Sequence, residues 1–191
     1  MAKKHSLNDT KIEYTVARRR VKYPRLEFKT GRLLLVLPEH QKNPAEIIEK
    51  HKDWIHEKNR IIQAALRDSK KKNLVERSED KFKQLVNSIA SNYSEEGDFH
   101  INHIYFRKMN SNWGSCSSKK NMTFNTLMRY LPQKMIDYIV YHELIHLKEK
   151  RHNEHFWKTI SKKFPDYEKK EKELLTYWFQ IQEIISSEIT A

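Results

Sequence analysis

Cysteine is nearly absent: Cys116 is the only one in 191 residues. A lone cysteine excludes an internal disulfide framework and suits a reducing compartment, so a cytoplasmic setting is expected. Glycine is almost as scarce, with Gly31, Gly97 and Gly114 far apart in the chain. Glycine-rich phosphate and dinucleotide loops need clustered glycines and are excluded. No apolar run approaches the length of a membrane span, so no membrane association is expected. The N-terminus, Met1-Ala2-Lys3-Lys4-His5-Ser6, turns polar where a secretory signal would turn apolar. Acidic residues are the minority charge: 25 Asp and Glu face 37 Lys and Arg, a formal net charge of +12. The excess leans to the first part of the chain. Residues 1–80 hold 20 basic and 12 acidic residues, and residues 81–191 hold 17 and 13. Such a surface attracts nucleic acid and other polyanions, though no nucleic-acid motif accompanies it.

Among the residues present, hydrophobic periodicity divides the chain. Ile12, Tyr14 and Val16 alternate with polar residues, as do Leu26 and Phe28. Thr30-Gly31 offers a hairpin turn into Arg32–Leu37, so a small antiparallel sheet is expected. Asn43-Pro44-Ala45-Glu46 has the cap, the first-turn proline and the back-reaching glutamate of a helix start. Apolar residues at helical spacing then predict one helix from about 44 to 66. His51 and His56 fall on it and read as packing or surface residues. Residues 67–79 are dense in charge and weak in period, and read as a linker or a frayed helix end. A helix over about 80–93, short strands over 101–107 and 113–117, and a further strand at 122–125 follow. Pro132 opens a helix whose segment from 135 to 147 carries little exposed polarity and should be central and buried. Asn153 caps the next helix, and an amphipathic helix over about 166–188 ends the chain.

Within the buried helix lies His142-Glu143-Leu144-Ile145-His146. On a helix His142 and His146 share one face, one turn apart, where two imidazoles can hold one metal ion. Glu143 is placed to take a proton from water at that ion. Burying three such groups unpartnered costs about 1–3 kcal/mol each. A divalent metal, with zinc the natural choice for this donor set, removes that cost. A catalytic zinc takes a third protein ligand. His152, in an H-E-x-x-H-x5-H spacing, is the leading candidate. His155, Glu168 and Glu171 compete with it. No glycine is available to turn the chain between His146 and His152. Tyr138, Tyr141 and Arg129 are candidates to stabilise an oxyanion.

Taken together, Trp113-Gly114-Ser115-Cys116-Ser117, Asn125, Asp137–Leu147 and His152-x-x-x-Phe156-Trp157 resemble the YgjP-like metallopeptidase-domain family, related to SprT-like and Wss1-like zinc proteases. The hairpin, the capped helix and Trp54 extend the likeness over most of the chain. The resemblance implies an α+β, zincin-like fold, with residues 1–79 as an N-terminal hairpin-and-helix lobe and 80–191 as the catalytic domain. It also implies His142, His146 and His152 as zinc ligands and Glu143 as catalytic base. This chain has Asn112 where the family often has a basic residue, and His155 where it often has a small one. The function expected is a zinc-dependent peptidase acting on protein or peptide substrates, with nucleic acid as a further partner. A metal-dependent nucleoside triphosphate hydrolase and a nucleic-acid module with structural zinc are the alternatives.

Overall fold

The computed structural model describes residues 2–7, 10–29, 31–40, 43–69 and 72–190. They form an α+β fold that divides into two compact units, residues 1–70 with 182–191, and residues 71–181.

The first unit is built on a four-stranded sheet. Its strands are β1 (Ala2–Leu7), β2 (Thr10–Arg18), β3 (Arg25–Lys29) and β4 (Arg32–Leu37), in the order β1-β2-β4-β3. The sheet is mixed, not antiparallel as expected, because β2 and β4 pair in parallel. The chain leaves β2 and passes the end of β4 before it enters β3. The Arg19 N–H donates to Leu37 O at 2.9 Å along that passage. Alternation along single strands reports the face a residue occupies, not the direction of its neighbour, so the sequence pattern was blind to this. Gly31, at φ 81°, makes the turn between β3 and β4; Thr30 lies outside the described residues. Tyr14, Leu33, Leu35, Leu37, Ile48 and Ile55 form the core of this unit.

The helix expected over 44–66 is two: α1 (Pro44–Lys50) and α2 (Lys52–Ser69). The break falls at His51, at φ −114° and ψ 17°. Its ring shares a hydrogen bond of 2.8 Å with the Ile47 carbonyl. Asn43 precedes α1 with extended backbone but makes no side-chain cap bond.

In the second unit, residues 72–78 form neither helix nor strand. The Val75 N–H donates to Tyr130 O, and the Arg77 guanidinium donates to the carbonyls of Arg129 and Leu131. Helix α3 (Glu79–Gly97) starts at Ser78, whose hydroxyl accepts from the Lys81 N–H. Three short strands follow: β5 (His103–Arg107), β6 (Gly114–Cys116) and β7 (Asn121–Asn125), in the order β5-β7-β6. A 3-10 turn (Thr126–Tyr130) leads into α4 (Gln133–Ile145) behind Pro132. Asn153 caps α5 (Glu154–Lys163) by accepting from the Phe156 N–H, and α6 (Tyr167–Thr190) follows, with its residues from Gln182 onward counted in the first unit. α4 is the buried helix its composition predicts. Met135, Ile136, Tyr138, Ile139, Val140, Leu144 and Ile145 are all buried.

Candidate metal centre

His142 and Glu143 lie in the last turn of α4, and His146 is its C-cap residue. Beyond it the helix unwinds without reversing hand. Leu147 N–H donates to Leu144 O, Lys148 and Glu149 N–H donate to Ile145 O, and the Glu149 carbonyl pairs with His146 Nδ1 at 2.9 Å. The Arg151 N–H then donates to the Glu149 carboxylate. Among the described residues, positive φ outside glycine occurs only at Asp98 and Lys120. The turn therefore needs no glycine, because no residue in it enters the left-handed region.

This turn returns His152 to the helix. His152 Nε2 stands 3.0 Å from His142 Nε2 and 3.0 Å from His146 Nε2. Two nitrogen ligands on a tetrahedral ion with bonds of ~2.0 Å lie ~3.3 Å apart, so the spacing suits a shared cation. These three histidines are the group among the described residues whose ligand atoms converge within 4.8 Å. His155 is not in that group. Glu168 is exposed and accepts from Tyr167 OH. Glu171 accepts from Tyr138 OH at 2.6 Å and lies 3.9 Å from His142 Nδ1. That is the nitrogen facing away from the convergence point, so its carboxylate backs the imidazole.

Aromatic rings hold the histidines in place. Phe156 stacks on His146 with centroids 4.7 Å apart, and Trp157 stacks on His152 at 5.5 Å. Tyr167 stacks on the other side of Trp157 at 5.0 Å. In the sequence Phe156 and Trp157 belong to the His152-x-x-x-Phe156-Trp157 motif, which gives neither of them a role against the histidines. Their spacing of four and five residues from His152 was the available signal.

Glu143 is 7% exposed, and its Oε2 is buried without a hydrogen-bond partner among the described residues. A methyl group on Gly114 would lie 2.7 Å from Glu143 Cγ and 2.8 Å from Oε1. Contacts that short are never realised, so the glycine of Trp113-Gly114-Ser115-Cys116 is what lets β6 lie over the carboxylate. Burial, then the charge of Glu171, pushes the Glu143 carboxyl up to about 8. Burial, then the neighbouring His146 and His152, pushes His142 down to about 3, and burial also lowers His146. The lowered His142 and His146, converging with His152, and the buried, unpartnered Glu143 oxygen on the same helix turn as His142 fit a divalent cation.

The three oxyanion candidates are committed to other contacts. Tyr138 is 1% exposed with its hydroxyl on Glu171. Tyr141 packs between Tyr93 and Phe164. Arg129 donates to Tyr130 OH. Trp113 is half-buried and packs edge-on against Trp178 at 5.0 Å. Cys116 is half-buried, and burial raises its thiol pKa, which disfavours a thiolate. Asn125 is 0% exposed. Its amide bridges Met109, Asn112 and Leu127 and so fixes the approach to Trp113.

Comparison with known families gives residues 59–177 a match to the family described as YgjP-like, metallopeptidase domain. The chain belongs to the YgjP-like metallopeptidase family. A metallopeptidase of this family works with a divalent metal on protein or peptide substrates. The chain is also similar to two solved structures. One is the metallopeptidase zymogen of Methanocaldococcus jannaschii jannalysin, 30% identical over 48% of this chain and 89% of that chain, with a TM-score of 0.39. The other is the metallopeptidase zymogen of Pyrococcus abyssi abylysin, 24% identical over 46% of this chain and 88% of that chain, with a TM-score of 0.41. No protein of curated function matches. Among the described residues, no helix is long and apolar enough to cross a membrane.

Proposed function

We propose that this metallopeptidase is a zinc enzyme in which His142, His146 and His152 hold the ion and Glu143 is the general base. The reading rests on one observation: three imidazole nitrogens converge, and Glu143, the neighbour of His142 in the last turn of α4, has a buried carboxylate oxygen with no partner among the described residues. Three histidines are a donor set typical of catalytic zinc, with a fourth position left open. Bound zinc supplies Lewis acidity, which acidifies a water and polarises a carbonyl. Glu143 takes the water's proton at Oε2 and passes it to the leaving amine nitrogen. A cation beside Glu143 opposes the upward push that burial exerts on its carboxyl and keeps it ready to accept. Glu171 orients the His142 ring from behind. β6 is an edge strand and runs against α4. A substrate peptide in extended form pairs with that edge and brings its carbonyl toward Glu143. Residues 80–191 carry this machinery and residues 1–79 form an accessory lobe. The basic excess draws a nucleic acid to the protein, in a cytoplasmic setting.

The test is metal analysis and turnover of Glu143→Gln. Stoichiometric zinc in both proteins, with cleavage of a casein substrate by the wild type alone, supports the proposal. Retained cleavage by Glu143→Gln, or a wild type that hydrolyses nucleoside triphosphates and leaves casein intact, would overturn it.

A further inference from the structure

From Phe99 to Ile136 the chain contains no aspartate or glutamate, against six lysines and arginines: Arg107, Lys108, Lys119, Lys120, Arg129 and Lys134. This stretch contains the entire β5-β7-β6 sheet. One face of the sheet is packed. Phe106 meets Phe82 of α3 edge-on at 5.6 Å and Phe124 at 6.4 Å, and Met122 and Phe124 are fully buried. The other face is exposed along β5 and half-buried along β7. His103, Tyr105 and Arg107 alternate along β5 as its exposed residues, and Tyr105 is 51% exposed. The His103 and Tyr105 rings lie 5.9 Å apart. Asn121 and Thr123 of β7 sit opposite His103 and Tyr105.

The ends of this face are basic. Lys119 and Lys120 occupy the turn between β6 and β7. Asn102 ties that turn to the start of β5, with its side chain donating to Lys119 O at 2.7 Å and its N–H donating to Lys120 O at 3.0 Å. The two lysines are thereby held beside His103. Arg107 and Lys108 stand at the far end, ~13 Å along an extended strand. Charged residues on an edge strand also guard against unwanted strand pairing. That accounts for Arg107, but an exposed tyrosine in the middle of the strand works against it.

We infer that this face of the sheet binds single-stranded nucleic acid, with Tyr105 and His103 as stacking platforms and Arg107, Lys108, Lys119 and Lys120 on the phosphates. Aromatic rings on a rigid strand flanked by cations at roughly two-nucleotide spacing are the elements of sequence-tolerant single-strand binding. A stretch of chain with no carboxylate and six cations suits a polyanion, and the exposed rings favour one that carries bases. The inference deepens the nucleic-acid part of the function proposed above by assigning it a surface, and it is independent of the peptidase chemistry.

The experiment is fluorescence anisotropy of a labelled 15-nucleotide oligo(dT) with the full chain, between 50 and 200 mM salt. Tyr105→Ala should weaken binding about 5- to 100-fold, the value of one stacked base, while Tyr105→Phe binds as the wild type does. Lys119→Ala with Lys120→Ala should lower the slope of log affinity against log salt by ~1.4, about 0.7 for each phosphate no longer neutralised. Circular dichroism confirms that each variant is folded. If the wild type binds and Tyr105→Ala binds equally well, the sheet assignment is wrong and the nucleic-acid reading survives. Loss of binding on Arg19→Ala with Arg20→Ala, with the sheet variants unaffected, has the same meaning. If the wild type does not bind, both fall. Equal competition by polyglutamate at matched charge overturns the stacking role.

Discussion

Two of the converging histidines are carried by a helix and the third by a loop. His142 and His146 belong to α4, whose apolar face is buried along its whole length. Their spacing is set by helical geometry and cannot drift without disturbing the core. His152 is exposed and lies between α4 and α5, where its position depends on one chain of turn hydrogen bonds and on stacking against Trp157. The helix side is thus tied to global stability, and the loop side is tied only to the site. This separates what makes the protein fold from what completes its chemistry.

Ligand removal should show the difference most strongly. His142→Ala and His152→Ala should each weaken zinc affinity by more than the ~100-fold typical of losing an outer partner, and peptidase activity should vanish in both. Without metal the two variants should diverge. His152→Ala should melt within ~0.5 kcal/mol of the wild-type apoprotein, as exposed positions do, while His142→Ala should be less stable because it leaves a space between Tyr138 and Phe156. Calorimetry of the chelated proteins checks this, and equal melting of both variants would dissolve the distinction.

Glu143 carries the helix-borne chemistry. Glu143→Gln should lower kcat about 10²- to 10⁴-fold with zinc content unchanged, as loss of a positioned base does. Gly114→Ala should follow, with kcat down ~10²-fold, because a displacement of the base by about 1 Å has that effect. A methyl group there cannot coexist with Glu143 Cγ at 2.7 Å, and β6 or the carboxylate must shift. Zinc affinity should hold, since the atoms the added methyl group meets first all belong to Glu143; an unchanged kcat would mean that the carboxylate has room to spare.

What the sequence made legible follows the same division. The α4 pair, its burial and the Asn153 cap were readable because period and capping are local signals, and both were present from Pro132 to Phe156. The convergence of His152 could be suspected from its six-residue separation from His146, but a turn built from right-handed backbone leaves no glycine to announce it. Glu171 was weighed as a ligand and instead stands behind His142. Only the path of α6 distinguishes those roles, and helix packing has no local sequence signature. The parallel pairing of β2 with β4 was hidden for a related reason: strand alternation fixes faces, not partners. The break at His51 escaped notice because the apolar stripe continues through it.

Glu171 offers a graded test of the helix side. Glu171→Gln keeps an acceptor for Tyr138 OH but removes the charge behind His142 Nδ1, so zinc affinity should fall about 10-fold, within the range for outer partners. An affinity loss as large as that of His152→Ala would instead make Glu171 a ligand.

The smallest effect expected is the one that isolates the loop. Trp157 lies between His152 and Tyr167, stacked on both at 5.5 and 5.0 Å with interplanar angles of 23° and 20°. Trp157→Ala removes the stacking surface of His152 and leaves its turn hydrogen bonds in place. Aromatic pairs of this kind are worth about 0.5–1.5 kcal/mol beyond area burial, so zinc affinity should fall roughly 2- to 13-fold while kcat at saturating zinc stays near wild type. Trp157→Phe should recover most of the loss, since a smaller ring still stacks. A fall in kcat at full metal occupancy would place Trp157 against substrate, not behind the histidine. No change in affinity would show that the turn alone holds His152. In that case the loop would be as rigid as the helix it follows.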